Sequence, residues 1–148
     1  MRTIRDHQRG RVYAWEQRVI APHDPTRIAR EQAQAMIDAI WADIGLRYPP
    51  KVAALPVQAK TLIGRADRLT IELAPRVPSW CLLHELAHSI TSSVEGDSDG
   101  HGALFLAAYF FLLQRYLRRD PGELRQSAAQ AGLNVGSEFS VADQAFRP

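Results

Sequence analysis

The reading of this chain turns on the stretch Ser79-Trp80-Cys81-Leu82-Leu83-His84-Glu85-Leu86-Ala87-His88-Ser89-Ile90. Pro75 and Pro78 interrupt the backbone just before it, Ser79 is a natural N-cap, and Leu82, Leu83, Leu86 and Ile90 form an apolar stripe. These features predict a helix from Trp80 to about Ser92. Its polar side carries His84, Glu85 and His88 in the pattern H-E-x-x-H. Residues four apart on a helix differ by about 40° in azimuth and about 6 Å in rise, so both imidazoles can reach one ion. Glu85 is turned by about 100° and its longer side chain can reach a water held by that ion, the position of a general base.

A catalytic zinc keeps three protein ligands and one open position. His101, thirteen residues beyond His88 across a Gly- and Asp-containing loop, is the preferred third ligand. Glu95, Asp97 and Asp99 compete with it, since sites with two histidines and one carboxylate also exist. Asp99 also fits two other roles, as hydrogen-bond partner of a ligating imidazole or as the cap of the next helix. His7 and His23 stand alone and read as surface residues, and Cys81 reads as a small core residue. The aromatic residues Trp15, Trp41, Trp80, Phe105, Tyr109, Phe110 and Phe111 read as core, with Tyr109 and Tyr116 as candidates to assist an oxyanion.

Working outward, a strongly apolar helix is expected from about His101 to Leu117, then a short one from Asp120 to about Gly132 with an Asp cap and Glu123 three residues on. Upstream, β-type pieces fall near 51–57, 60–65 and 69–73, the last alternating Leu69, Ile71 and Leu73 with polar partners, and a small meander is expected. Asp24-Pro25 offers a cap and a first-turn proline to a helix that carries Ala29, Ala33, Met36, Ile37, Ile40, Trp41 and Ile44 and stops at Gly45. Residues 11–20, with Tyr13, Trp15 and Val19 at period two, read as a strand.

A length of 148 residues suits one domain, and 46% hydrophobic with 23% charged residues excludes disordered and fibrous classes. The apolar run Ala103–Leu113 is eleven residues, short of the roughly 18 a bilayer span needs. With no apolar stretch behind the charged N-terminus, a cytoplasmic address is expected. The single cysteine excludes a Cys-rich zinc ribbon or an internal disulfide, so His and carboxylates must hold any metal. Arg2, Arg5, Arg9, Arg11 and Arg18 set against Asp6 and Glu16 would attract phosphate backbones weakly, and a solvated basic arm is the simpler reading.

His84-Glu85-Leu86-Ala87-His88 followed by His101-Gly102-Ala103-Leu104-Phe105 resembles the zincin pattern in which a second helix opens with H-G-x-x-F. With Val12-Tyr13-Ala14-Trp15-Glu16, the chain is similar along most of its length to a group of small actinobacterial and phage metallohydrolases. Over about residues 79–113 it also resembles SprT-like and WLM-type metalloproteases. The resemblance implies a minimal zincin-like α+β domain: a small mixed sheet packed on an N-terminal helix and the HExxH helix, followed by the buried apolar helix. It further implies one zinc ion on His84, His88 and His101, Glu85 as the catalytic base, and a peptide or protein substrate. The chain departs from ribbon-bearing SprT proteins in its lone Cys81, and from metzincins in having Thr91 and Val94 where their pattern continues. The expected function is therefore a zinc-dependent hydrolase, specifically a metallopeptidase, with extended peptide adding to strand 69–73. The alternative is a non-catalytic zinc-stabilised module, associated with DNA through its arginines, in which a carboxylate closes the fourth position.

Overall fold

A computed structural model describes residues 6–59 and 63–140. Of the basic arm, Arg2 and Arg5 lie outside the described residues, as does part of the expected 60–65 strand. The fold is α+β, in the order α1 (Arg9–Trp15), β1 (Arg27–Ala29), α2 (Arg30–Asp43), β2 (Lys51–Ala54), β3 (Gly64–Ala66), β4 (Thr70–Leu73), β5 (Arg76–Pro78), α3 (Ser79–Ile90), α4 (Ala103–Tyr116) and α5 (Pro121–Gln130). Among the described residues no helix is long and apolar enough to cross a membrane.

Residues 11–20 are helical, not the expected strand: α1 runs into a π-helical turn, Glu16–Ile20. The buried positions explain why. Val12, Trp15, Glu16 and Ile20 are buried and Val19 is half-buried, the i, i+3, i+4 repeat of a helix, whereas Tyr13 is 42% exposed. Period two is satisfied only by grouping Tyr13 with Trp15, two side chains that face different surroundings.

Asp24 does not cap α2. Residues Arg27–Ala29 pair antiparallel with Arg76–Pro78, which holds the chain extended and delays the helix to Arg30. Asp24 instead reaches across to the start of α3, accepting from the Trp80 backbone N–H at 3.0 Å and from Ser79 Oγ at 2.5 Å. The cap expected of Ser79 is thus supplied by a carboxylate from a distant segment. At the other end of α2, Gly45 takes a left-handed φ of 85°, as the sequence predicts for a helix stop.

The second sheet is mixed, in the order β2-β4-β3, with β2 parallel and β3 antiparallel to β4. This corrects the meander, and it places strand 69–73 in the middle of the sheet where both of its edges are taken. Its Ile71 and Leu73 are fully buried, as the alternation requires, whereas Leu69 lies ahead of the strand and is 55% exposed. The edge strand beside α3 is β3.

Helices α3 and α4 form the centre of the molecule. Leu82, Leu86 and Ile90 pack in one cluster with Phe105, Leu106, Tyr109 and Leu113, and with Trp15 and Trp41 from the N-terminal half. Helix α5 carries the expected cap, Asp120 Oδ2 accepting from the Glu123 N–H at 2.8 Å.

Candidate metal centre

Helix α3 presents His84 and His88 one turn apart, and the segment before α4 brings His101 back to meet them. The three Nε2 atoms form a nearly equilateral triangle: His84 to His88 3.2 Å, His88 to His101 3.2 Å, and His84 to His101 3.3 Å. Tetrahedral ligands bound to zinc at 2.0–2.1 Å stand about 3.3–3.4 Å apart, so the triangle has the size of one face of such a site. His84 and His101 are buried and His88 is half-buried. These three histidines could hold a metal ion.

The tautomers follow from the groups behind the rings. Glu16 Oε2 lies 2.5 Å from His84 Nδ1, and Asp6 Oδ2 lies 2.7 Å from His101 Nδ1. An ionised carboxylate can only accept, so each Nδ1 carries the hydrogen and the neutral ring keeps its lone pair on Nε2. Lone pairs converging at this distance repel one another. One proton bridges a single pair, whereas a metal cation serves all three nitrogens at once.

Neither carboxylate is among the site residues that the sequence predicts. Glu16 is 2% exposed, opens the π-helical turn, and also accepts from the Tyr109 hydroxyl at 2.8 Å. A helical reading of 12–20 would have exposed it, because a carboxylate inside an apolar stripe is seldom there without a partner. Asp6 comes from before α1, and its Oδ1 accepts from the His101 backbone N–H at 3.2 Å. Gly100, with φ of 62°, makes room for it: a Cβ there would stand 2.8 Å from Asp6 Oδ2. Gln8 fastens the same junction, donating to the His101 carbonyl at 2.9 Å.

The other candidates go elsewhere. Asp99 caps α4, accepting from the Leu104 N–H at 2.7 Å and the Phe105 N–H at 3.2 Å. Asp97 turns to Ser93 and Glu95 is exposed, so none of these three carboxylates belongs to the histidine cluster. Tyr116 donates to Asp43 at 2.6 Å, and Tyr109 is spent on Glu16. His7 and His23 are exposed. Cys81 is buried, and that burial raises its thiol pKa well above the usual range, as expected of a core residue.

Phe105 packs against all three imidazoles from α4, with ring centroids 5.0, 4.2 and 5.0 Å from His84, His88 and His101, and it is fully buried. That side of the cluster is shut. On another side a cleft of ≈ 370 Å³ reaches His84 and Glu85, with Arg9, Tyr13 and Gln17 forming one wall and Ile63 and Gly64 the other. A larger, more apolar groove of ≈ 510 Å³ between α2, α3 and the end of α4 contains none of the histidines.

Glu85 is 5% exposed and sits against β3, where a Cβ on Gly64 would stand 3.0 Å from its Cγ. Burial raises the Glu85 pKa to about 7; His84 pulls it down and Glu16 pushes it up. Burial also drives His88 well below its ordinary value, reinforced by the charges of His84 and His101, and it lowers His101 against the pull of Asp6. For His84, burial works downward but the charge and hydrogen bond of Glu16 outweigh it and the net shift is upward. The arrangement is a three-imidazole cluster with a buried carboxylate beside it and a cleft that reaches His84 and Glu85. No protein-family model matches this chain, and no curated protein or solved structure matches it.

Proposed function

We propose that this protein is a zinc-dependent hydrolase acting on peptide bonds, a zincin-like metallopeptidase with zinc on His84, His88 and His101 and Glu85 as general base. The observation that carries the reading is the Nε2 triangle of 3.2–3.3 Å, with the buried Glu85 lining the cleft that His84 also lines. A lone-pair set of three neutral imidazoles suits zinc, and none of Glu95, Asp97 and Asp99 joins it to close a fourth position. Zinc held there supplies a Lewis acid that polarises the scissile carbonyl and acidifies water.

Glu85 accepts a proton from the attacking water as its oxygen bonds to the carbonyl carbon. It then returns that proton to the amine nitrogen as the C–N bond breaks, so no proton is gained or lost over the cycle. Glu16 and Asp6 hold two of the imidazoles in the ligating tautomer.

The substrate path suggested by the fold runs along β3. Ala74 donates to the Ile63 carbonyl and Asp67 to the Thr70 carbonyl, so the backbone polar groups of residues 63, 65 and 67 face β4. Those of Gly64 and Ala66 therefore face the free edge beside Glu85, where an extended peptide can add as a further strand. The test is hydrolysis of fluorescein-labelled casein by the zinc-loaded chain and its Glu85→Gln variant. Turnover should fall by about 10³-fold or more with zinc retained; equal turnover in the two proteins would falsify the role of Glu85.

A further inference from the structure

Tyr13 is an exposed aromatic side chain beside the histidine cluster. It lies on α1 in the wall of the cleft that holds Glu85, with its ring centroid 5.1 Å from His101 and 6.1 Å from His84. Trp15, two residues on, is fully buried. Tyr13 is 42% exposed, so apolar burial does not account for its position. The guanidinium of Arg9, one turn earlier, lies 5.7 Å from the ring centroid. A phenol carries one hydrogen that it can donate. Tyr109 and Tyr116, the tyrosines that the sequence suggested, have given theirs to Glu16 and Asp43.

We propose that Tyr13 is a catalytic residue of this site, donating its phenolic hydrogen to the substrate oxygen that gains negative charge as water adds to the carbonyl. The proposal rests on the hydrolase reading above and adds the group that stabilises the developing oxyanion. Arg9 is the positioning residue. Its guanidinium lies beside the ring at the cleft wall, and its positive charge favours negative charge developing there. The substrate class that follows is one passing through a tetrahedral anion, as peptides do.

Tyr13→Phe keeps the ring and removes only the hydroxyl. A phosphinic pseudodipeptide, which mimics the tetrahedral anion, is titrated calorimetrically into the zinc-loaded full chain and into Tyr13→Phe, with zinc content and thermal melts recorded for both. The phenol proposal expects about 10–100-fold weaker binding in the variant with unchanged zinc content and melting temperature. On casein it expects kcat to fall by a similar factor with KM nearly constant. Equal binding by both proteins, or binding by neither, overturns it. Casein turnover in Glu85→Gln separates the two claims. Equal inhibitor binding with Glu85-dependent turnover removes Tyr13 alone, whereas weaker binding in Tyr13→Phe without such turnover keeps the donor and removes the hydrolase.

Discussion

The carboxylates behind His84 and His101 do the same task in different surroundings. Glu16 is buried on a helical turn, its side chain 3% exposed, and it serves two donors, His84 and Tyr109. Asp6 lies ahead of α1 with its side chain 27% exposed, and among the described residues its carboxylate bonds residue 101, through the ring and the backbone N–H. Among the described residues no carboxylate bonds the third ring, His88. The site is thus built with a rigid arm and a looser one. A buried acceptor shared by two buried donors can be removed only by leaving both unsatisfied, whereas water can replace an acceptor near the surface.

The contrast predicts unequal losses. Glu16→Ala, the largest, leaves His84 Nδ1–H and the Tyr109 hydroxyl buried without an acceptor. It should cost about 2–5 kcal/mol in metal-free denaturant unfolding and 10–100-fold in zinc affinity. A loss in Glu16→Ala no greater than in Asp6→Ala would erase the distinction between the arms. Asp6→Ala should weaken zinc binding by about tenfold while changing metal-free stability by less than about 1 kcal/mol, read by competition with a chromogenic chelator. Asp99→Ala should do the reverse. Loss of the α4 cap costs about 1 kcal/mol in the melt and leaves zinc affinity unchanged; a drop in zinc affinity there would return Asp99 to the list of ligands or their partners. Tyr109→Phe removes one donor from Glu16 and should cost about 0.5–1 kcal/mol with zinc binding within about threefold of the parent.

The same contrast separates what could be read from the sequence from what could not. His84, Glu85 and His88 are legible because their relation is local: a helix places them whatever surrounds it, and the proline breaks and leucine stripe announce that helix. His101 needed only a short loop to return, and the loop glycines allow it. Glu16 and Asp6 reach their histidines across 68 and 95 residues of chain, and no local spacing records such a contact. For Glu16 the difficulty was compounded by the period-two reading of 11–20, which assigned Tyr13 and Trp15 to one face and made the carboxylate a surface residue. Asp24 shows the same limit in the fold. Its capping chemistry is legible, but the helix it caps is α3 and not the one that follows it, because the β1–β5 pairing intervenes.

The parallel pairing of β2 with β4 is a tertiary choice of the same kind. Alternation marks Ile71 and Leu73 as buried, but it does not say which neighbour lies on which side. That choice moves the free edge from the 69–73 strand to β3 and so brings it beside Glu85. Gly64 then matters because it lets the carboxylate lie against the strand.

The central claim is that three imidazoles converge to hold one metal ion. The most direct measurement is the zinc content of the chain purified without a histidine tag and dialysed against a weak chelator, compared with its His88→Ala variant. One zinc per chain in the parent and almost none in the variant is the predicted result. No retained zinc in the parent, or the same amount in both proteins, would contradict it.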